Sequence, residues 1–143
     1  RKHRRLWDTY RFPGFRPSPT VHGIFGDPKA RVIRLHRRGK KQAAARVAAP
    51  IDVLDRKLRR VRDLPCGDTR VYLELEVRRV ECKRCGTVKQ ERLDWLADHP
   101  FYTTRFAVFV GRRCRVATIK DVAQETHLDW KTVKALETQY MRE

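Results

Sequence analysis

Cys82 and Cys85, separated by Lys83 and Arg84 and followed by Gly86, are the residues best spaced for chemistry. Two thiolates on one tight turn aim at a single point, the geometry that grips half of a tetrahedral Zn²⁺ site, and the glycine lets the backbone enter the left-handed region. No second Cys-x-x-Cys and no His-x-x-x-His is present to supply the other half. Cys66, Cys114, His36 and His99 are the remaining candidate ligands. Cys66, in the turn-like Leu64-Pro65-Cys66-Gly67-Asp68, has the shorter reach, since one strand's length separates it from the pair. Without a metal the pair reads as two reduced thiols on a hairpin turn. A redox role fits less well, because a thioredoxin-like pair belongs at a helix N-terminus, whose dipole lowers the thiol pKa.

Catalysis finds no support in the residue pattern. Metal-dependent nuclease chemistry needs carboxylates converging on a cation, whereas Glu74 and Glu76 lie on the solvent face of a strand and the other acids are scattered. There is no Ser/His/Asp order, no phosphate-cradling glycine loop and no His-Glu-x-x-His helix. The expected role of this chain is therefore not enzymatic.

Recognition is better supported. Beyond Pro100 the apolar period becomes helical, with Thr103 or Thr104 able to cap a helix that carries Phe106, Phe109, Val110 and Cys114. The run Thr118 to Leu136 then reads as a helix-turn-helix. Ala123 is small where two helices cross, Leu128 plugs the turn, Asp129 caps the second helix, and Val133 and Leu136 seat it. That leaves Trp130, Lys131, Thr132, Lys134, Ala135 and Thr138, beside the capping Asp129, on a face suited to a major groove. His127 stands where such turns favour glycine, a position His can occupy at some cost.

The elements that must carry these residues follow from patterning. Val71, Leu73, Leu75 and Val77 alternate with Tyr72, Glu74, Glu76 and Arg78, which predicts a half-buried strand running into the cysteine turn, with residues 87–92 returning as its hairpin partner. The N-terminal part differs. Residues 1–62 hold 19 basic and 4 acidic side chains, and most of the chain's prolines lie before residue 51. That composition predicts an extended basic arm, with one short strand around Val32, Ile33 and Leu35. Arg37, Arg38, Lys40 and Lys41 supply its phosphate attraction, while Trp7, Tyr10, Phe12, Phe15 and Phe25 either stack bases or pack on a domain. The Ala-rich stretch from Ala43 to Ala49 reads as a linker or weak helix stub stopped by Pro50.

Composition narrows the partner. A chain of 143 residues with a formal charge of +17 and 41% hydrophobic residues builds a modest core and faces something polyanionic. No stretch is apolar enough to cross a bilayer, and the basic stretches are broken by Pro and Gly rather than forming an amphipathic membrane helix. Lacking an initiator Met and a secretory signal, the chain reads as an internal or trimmed piece of a cytoplasmic protein, where four cysteines imply metal or thiols before disulfides.

Several motifs in order carry a resemblance: Arg59-Arg60-Val61-Arg62-Asp63-Leu64, Val77-Arg78-Arg79-Val80-Glu81-Cys82-Lys83-Arg84-Cys85-Gly86, Asp94-Trp95-Leu96, Tyr102-Thr103, Phe106, Ile119-Lys120-Asp121-Val122-Ala123 and Leu128-Asp129-Trp130-Lys131-Thr132-Val133-Lys134. From about Ile51 to Glu143 the chain resembles the N-terminal region of the ISL-three family of bacterial insertion-sequence transposases. The resemblance implies a zinc-finger-like module followed by a helix-turn-helix that binds the element's terminal inverted repeats. In the family a ribonuclease-H-like catalytic domain follows, expected here after residue 143. The family pattern also has an earlier Cys-x-x-Cys, about where residues 42–49 stand here without cysteine.

The expectation is thus an α+β chain: a basic, largely extended arm over residues 1–50, a small antiparallel β-hairpin module of zinc-ribbon type over 51–97, and a helix-turn-helix domain over 98–143. Its expected partner is double-stranded DNA at element ends, with a second copy of the chain as a further partner and no membrane or small-molecule substrate. Zinc is the one cofactor implied, at an incomplete site of Cys82, Cys85 and Cys66. The setting is the bacterial cytoplasm, at the nucleoid. A transcriptional regulator or an RNA-binding zinc-ribbon protein are the rival readings, separated by competition between duplex DNA and structured RNA.

Overall fold

The computed structural model describes residues 3–38, 51–82 and 86–142, with the backbone alone for 51–53 and 82. It is an α+β arrangement in which a five-stranded sheet precedes three helices. Strands β1 (Phe15–Ile24), β2 (Asp27–Arg37), β3 (Ile51–Cys66) and β4 (Thr69–Cys82) lie in the order β1-β2-β4-β3, and β5 (Val88–Gln90) also pairs with β4. All pairings are antiparallel except β2 with β4, which run parallel through Ala30↔Arg70 to Arg34↔Glu74. Helices α1 (Thr104–Arg113), α2 (Ile119–Thr126) and α3 (Trp130–Arg142) follow. None of the described helices is long and apolar enough to cross a membrane.

The strand expected from alternation is β4. Val71, Leu73, Leu75 and Val77 are buried in the sheet's core, and the return strand β5 pairs Val80 with Lys89. Burying four such side chains contributes about 1.5–3 kcal/mol each, which makes β4 the strand around which the sheet is built. Gly86 adopts φ 64°, the left-handed conformation its place after the cysteine pair requires.

The N-terminal segment departs from the extended arm. A short 3₁₀ turn at Leu6–Tyr10 and strands β1 and β2 place Phe12, Phe15, Ile33 and Leu35 in the same core as β4. The Phe12 ring stacks on Trp95 at 4.3 Å, and Trp7 and Tyr10 pack at the rim. Prolines did not prevent this because Pro17 and Pro19 lie on an edge strand, where a missing N–H breaks no ladder, and the pairing is irregular between Pro17 and Val21. Of the five aromatics, Phe25 alone stays fully exposed, at the β1–β2 turn. The expected linker or helix stub at 43–49 lies outside the described residues.

The helices enclose a second core of Phe106, Val110, Val122, Val133 and Leu136, all fully buried. Gly111 on α1 marks the closest approach to α3. A Cβ there would overlap Cβ and Cγ of Tyr140. Those atoms sit near the α3 backbone, so rotating the ring cannot clear them. In a helix interior Ala is ordinarily favoured over Gly by about 0.5–1 kcal/mol, but here the overlap dominates. Gly111→Ala is expected to destabilise by about 1–3 kcal/mol through overpacking, read as a lowered melting temperature. A rise in melting temperature would place α3 further from α1.

Candidate nucleic-acid interface

Helices α2 and α3 are cut and joined by local hydrogen bonds. The Thr103 hydroxyl accepts from the Phe106 N–H at the start of α1 (3.2 Å), and the Thr118 hydroxyl accepts from the Asp121 N–H at the start of α2 (3.1 Å). At the end of α2, His127 takes φ 55° and ψ 45°, the left-handed turn usually made by glycine, and the Leu128 N–H reaches back to the Ala123 carbonyl at 3.0 Å. Asp129 Oδ1 then accepts from the Thr132 N–H at 2.9 Å, capping α3. The Thr132 hydroxyl and N–H together hold the Asp129 carboxyl below the usual carboxylate range. The cap is therefore strongest above that range and weakens as acid protonates the carboxylate.

Val133 and Leu136 face the core, so the opposite side of α3 meets solvent. Trp130, 61% exposed, opens that side, followed by Lys131, Lys134, Ala135 and Thr138, all exposed. Lys131 carries its charge into solvent. Lys134 lies 3.3 Å from Glu137, and the Thr138 hydroxyl donates to the Lys134 carbonyl at 2.8 Å. Thr132 is half-buried and turns its hydroxyl to Tyr102. The face offers one unengaged lysine, a tryptophan and small residues at one end of a capped helix. Lys120 on α2 and Arg112 on α1 are further exposed cations, Arg112 lying near Phe12 and Trp95.

The arm cations divide. Arg38 is exposed, and Lys40 and Lys41 lie outside the described residues. Arg37 corrects the expectation of a phosphate-binding arm, because it is half-buried and held in an ion pair with a buried carboxylate. Its Nη2 donates to Glu91 Oε1 at 2.6 Å and to the Glu76 carbonyl at 3.0 Å, its Nη1 donates to Glu91 Oε2 at 3.1 Å, and the guanidinium stacks over Phe15. Glu91 itself is fully buried. Once β2 enters the sheet, Arg37 faces the core's edge rather than solvent.

Strand register decides the cysteines. Cys66 pairs with Thr69 at one end of the β3–β4 hairpin, whereas Cys82 pairs with Ile51 at the other. At about 3.3 Å per residue the two ends are about 40 Å apart. Cys66 therefore cannot join Cys82 in one site, and sequence proximity misled because the hairpin turn reverses the chain at Gly67 and Asp68. Cys66 is an exposed thiol, Cys114 ends α1 with its thiol pushed up by burial, and His99 packs against Tyr102 at 4.8 Å. The Cys82 side chain and Cys85 lie outside the description. Among the described residues no three His, Cys, Asp or Glu converge as a metal site. Residues 42–50, which lead into the strand opposite Cys82, contain none of these types. The described residues thus assemble no four-ligand zinc site.

This combination, a sheet whose strand β4 ends at Cys82 followed by a capped helix-turn-helix, is of the kind that DNA-binding regions use. Residues 91–140 match the helix-turn-helix domain of transposase family ISL3, and residues 47–85 match the zinc-finger of transposase IS204/IS1001/IS1096/IS1165. The transposase for insertion sequence element IS1001 of Bordetella parapertussis is 38% identical over 85 residues, covering 59% of this chain and 21% of that relative. No solved structure matches the chain. Residues 47–85 and 91–140 thus match the N-terminal region of ISL3-family transposases.

Proposed function

We propose that this chain is the DNA-recognition part of its transposase and binds double-stranded DNA at the terminal inverted repeats of the element, at the bacterial nucleoid. The exposed, lysine-bearing face of the capped α3 carries the reading. Laid in a major groove, Trp130, Lys131, Ala135 and Thr138 would reach base edges, while Arg38 and the neighbouring arm lysines would attract phosphates without regard to sequence. A second copy of the chain would read the opposite end. Strand cleavage and joining fall to parts of the transposase outside these residues, as the matched regions are the helix-turn-helix and the zinc-finger. Zinc at Cys82 and Cys85 would require further ligands, and among the described residues no group of three His, Cys, Asp or Glu converges to supply them.

The test is binding of the chain to a duplex carrying the terminal repeat, against scrambled duplex and structured RNA, across a salt titration. Preference for the repeat that survives near-physiological salt supports the reading, and equal, steeply salt-dependent binding to all three overturns it. In the same assay Lys131→Ala is expected to cost on the order of 1–3 kcal/mol on the repeat with a modest change in salt slope. Neutralising Arg38, Lys40 and Lys41 is expected to flatten the slope and leave the preference. The reverse pattern would exchange the two roles.

A further inference from the structure

The polar side chains along the exposed side of α3 are largely engaged within the protein. The N–H and hydroxyl of Thr132 are held by Asp129 and Tyr102, and Lys134 Nζ lies 3.3 Å from Glu137. The Thr138 hydroxyl donates to the Lys134 carbonyl at 2.8 Å, so the methyl group is what this residue turns outward. Gln139 is half-buried and accepts from the Asp98 N–H at 3.0 Å.

At about 100° per residue, Trp130, Lys131, Ala135, Thr138 and Met141 fall within an arc of about 140° on the side away from Val133 and Leu136. Trp130 is 61% and Met141 72% exposed, and Ala135 and Thr138 are exposed between them. Among the described residues of this stripe the unengaged cations are Lys131 near its start and Arg142 at its end, and the Trp130 indole brings a single N–H. Between those ends no side chain is left to make the paired hydrogen bonds by which Arg, Asn or Gln read a base edge. The stripe offers carbon instead, and the one apolar group on the base edges of a major groove is the C5-methyl of thymine. Cations at both ends favour a polyanion over a second copy, whose antiparallel α3 would set Arg142 against Lys131.

We propose that α3 reads its DNA site through thymine methyl groups, covered by Trp130, Ala135 and Thr138, with Lys131 the one hydrogen-bonding reader among them. The inference rests on the DNA-binding reading above and adds the chemistry of the bases that are read.

The experiment measures binding of the full chain, at near-physiological salt, to three duplexes: the terminal repeat, the same repeat with uracil for every thymine, and a scrambled sequence. Uracil removes the methyl and keeps every hydrogen-bonding group of thymine. Each methyl covered should weaken the uracil duplex about fourfold, so two or three contacts weaken it roughly tenfold or more. Trp130→Ala combined with Thr138→Ser, which keeps the hydroxyl, should weaken the thymine repeat and shrink the thymine-to-uracil ratio. Preference for the repeat over scrambled sequence with equal binding of its thymine and uracil forms overturns methyl reading and retains DNA recognition. No preference among the three duplexes removes the DNA-recognition reading and the inference with it. A uracil loss that the double variant leaves at full size places the methyl contacts elsewhere and overturns the assignment to α3. The comparison on the unmodified chain decides methyl reading even if the double variant is unstable.

Discussion

Replacing Arg37 with alanine is expected to cost about 3 kcal/mol of stability, because it takes the two-pronged guanidinium from the buried Glu91 carboxylate and leaves only the nearby charge of Arg78 to offset it. Glu91 is fully buried, so solvent cannot take over from the lost guanidinium. Arg37→Ala also removes the hydrogen bond to the Glu76 carbonyl and the contact with Phe15. In a chain of this size the loss should lower the melting temperature by roughly 10 °C or more. The reverse truncation, Glu91→Ala, should cost less, since Arg37 retains those two contacts. Thermal unfolding followed by circular dichroism checks both. An unchanged melting temperature together with a flattened DNA salt slope would return Arg37 to the phosphate-binding role.

The second large effect is expected at Asp63, which ties the sheet to the helices. Its fully buried carboxylate accepts from the Thr103 hydroxyl at 2.9 Å and from Arg105 Nε at 2.7 Å, and a further Arg105 N–H reaches its other oxygen. Arg105 also donates to the Thr9 carbonyl at 2.9 Å and lies over Phe12, while Thr103 caps α1. One carboxylate thus joins β3, the N-terminal segment and the start of α1. Asp63→Ala is expected to cost about 3 kcal/mol, nearer the lower end for a broken buried pair because Arg105 keeps contact with water. A double-mutant cycle with Arg105→Met measures the pair directly. A coupling near zero would mean that the sheet and helices are held by their apolar contacts alone.

The parts legible beforehand are those where one residue type has one local job. Leu73 and Leu75 alternate with charged neighbours, Thr103 and Asp129 stand where helices begin, and His127 interrupts a helical period. Strand β3, which escaped notice, and β2, expected only as a short piece around Val32, Ile33 and Leu35, hide their pattern. In β3, Leu54 and Leu58 are exposed and Val61 is buried, so the run of arginines and lysines around them shows no alternation. In β2, Ala30, Val32, Ile33 and Leu35 are buried on both faces, which reads as a short apolar run within a basic stretch. Arginine is the common difficulty. Arg37, Arg62 and Arg105 count as surface charge in a composition, and only the tertiary partners, Glu91, Phe106 and Asp63, reveal Arg62 as buried and the other two as half-buried members of ion pairs. Cys66 failed for a different reason, since separation along a chain says nothing about separation across a hairpin.

The parallel pairing of β2 with β4 also sets an order of events during synthesis. β3 and β4 are neighbours in sequence and close through a two-residue turn, whereas β2 must wait for residues 70–74, some forty positions further along. Local pairings close fast and distant ones slowly, because the loop entropy is lost before any contact offsets it. The strongly basic segment around β2 can close its hairpin with β1 early but waits for β4 before it joins the rest of the sheet. During that interval Phe12, Phe15 and the cations around them stand open to whatever polyanion is nearby.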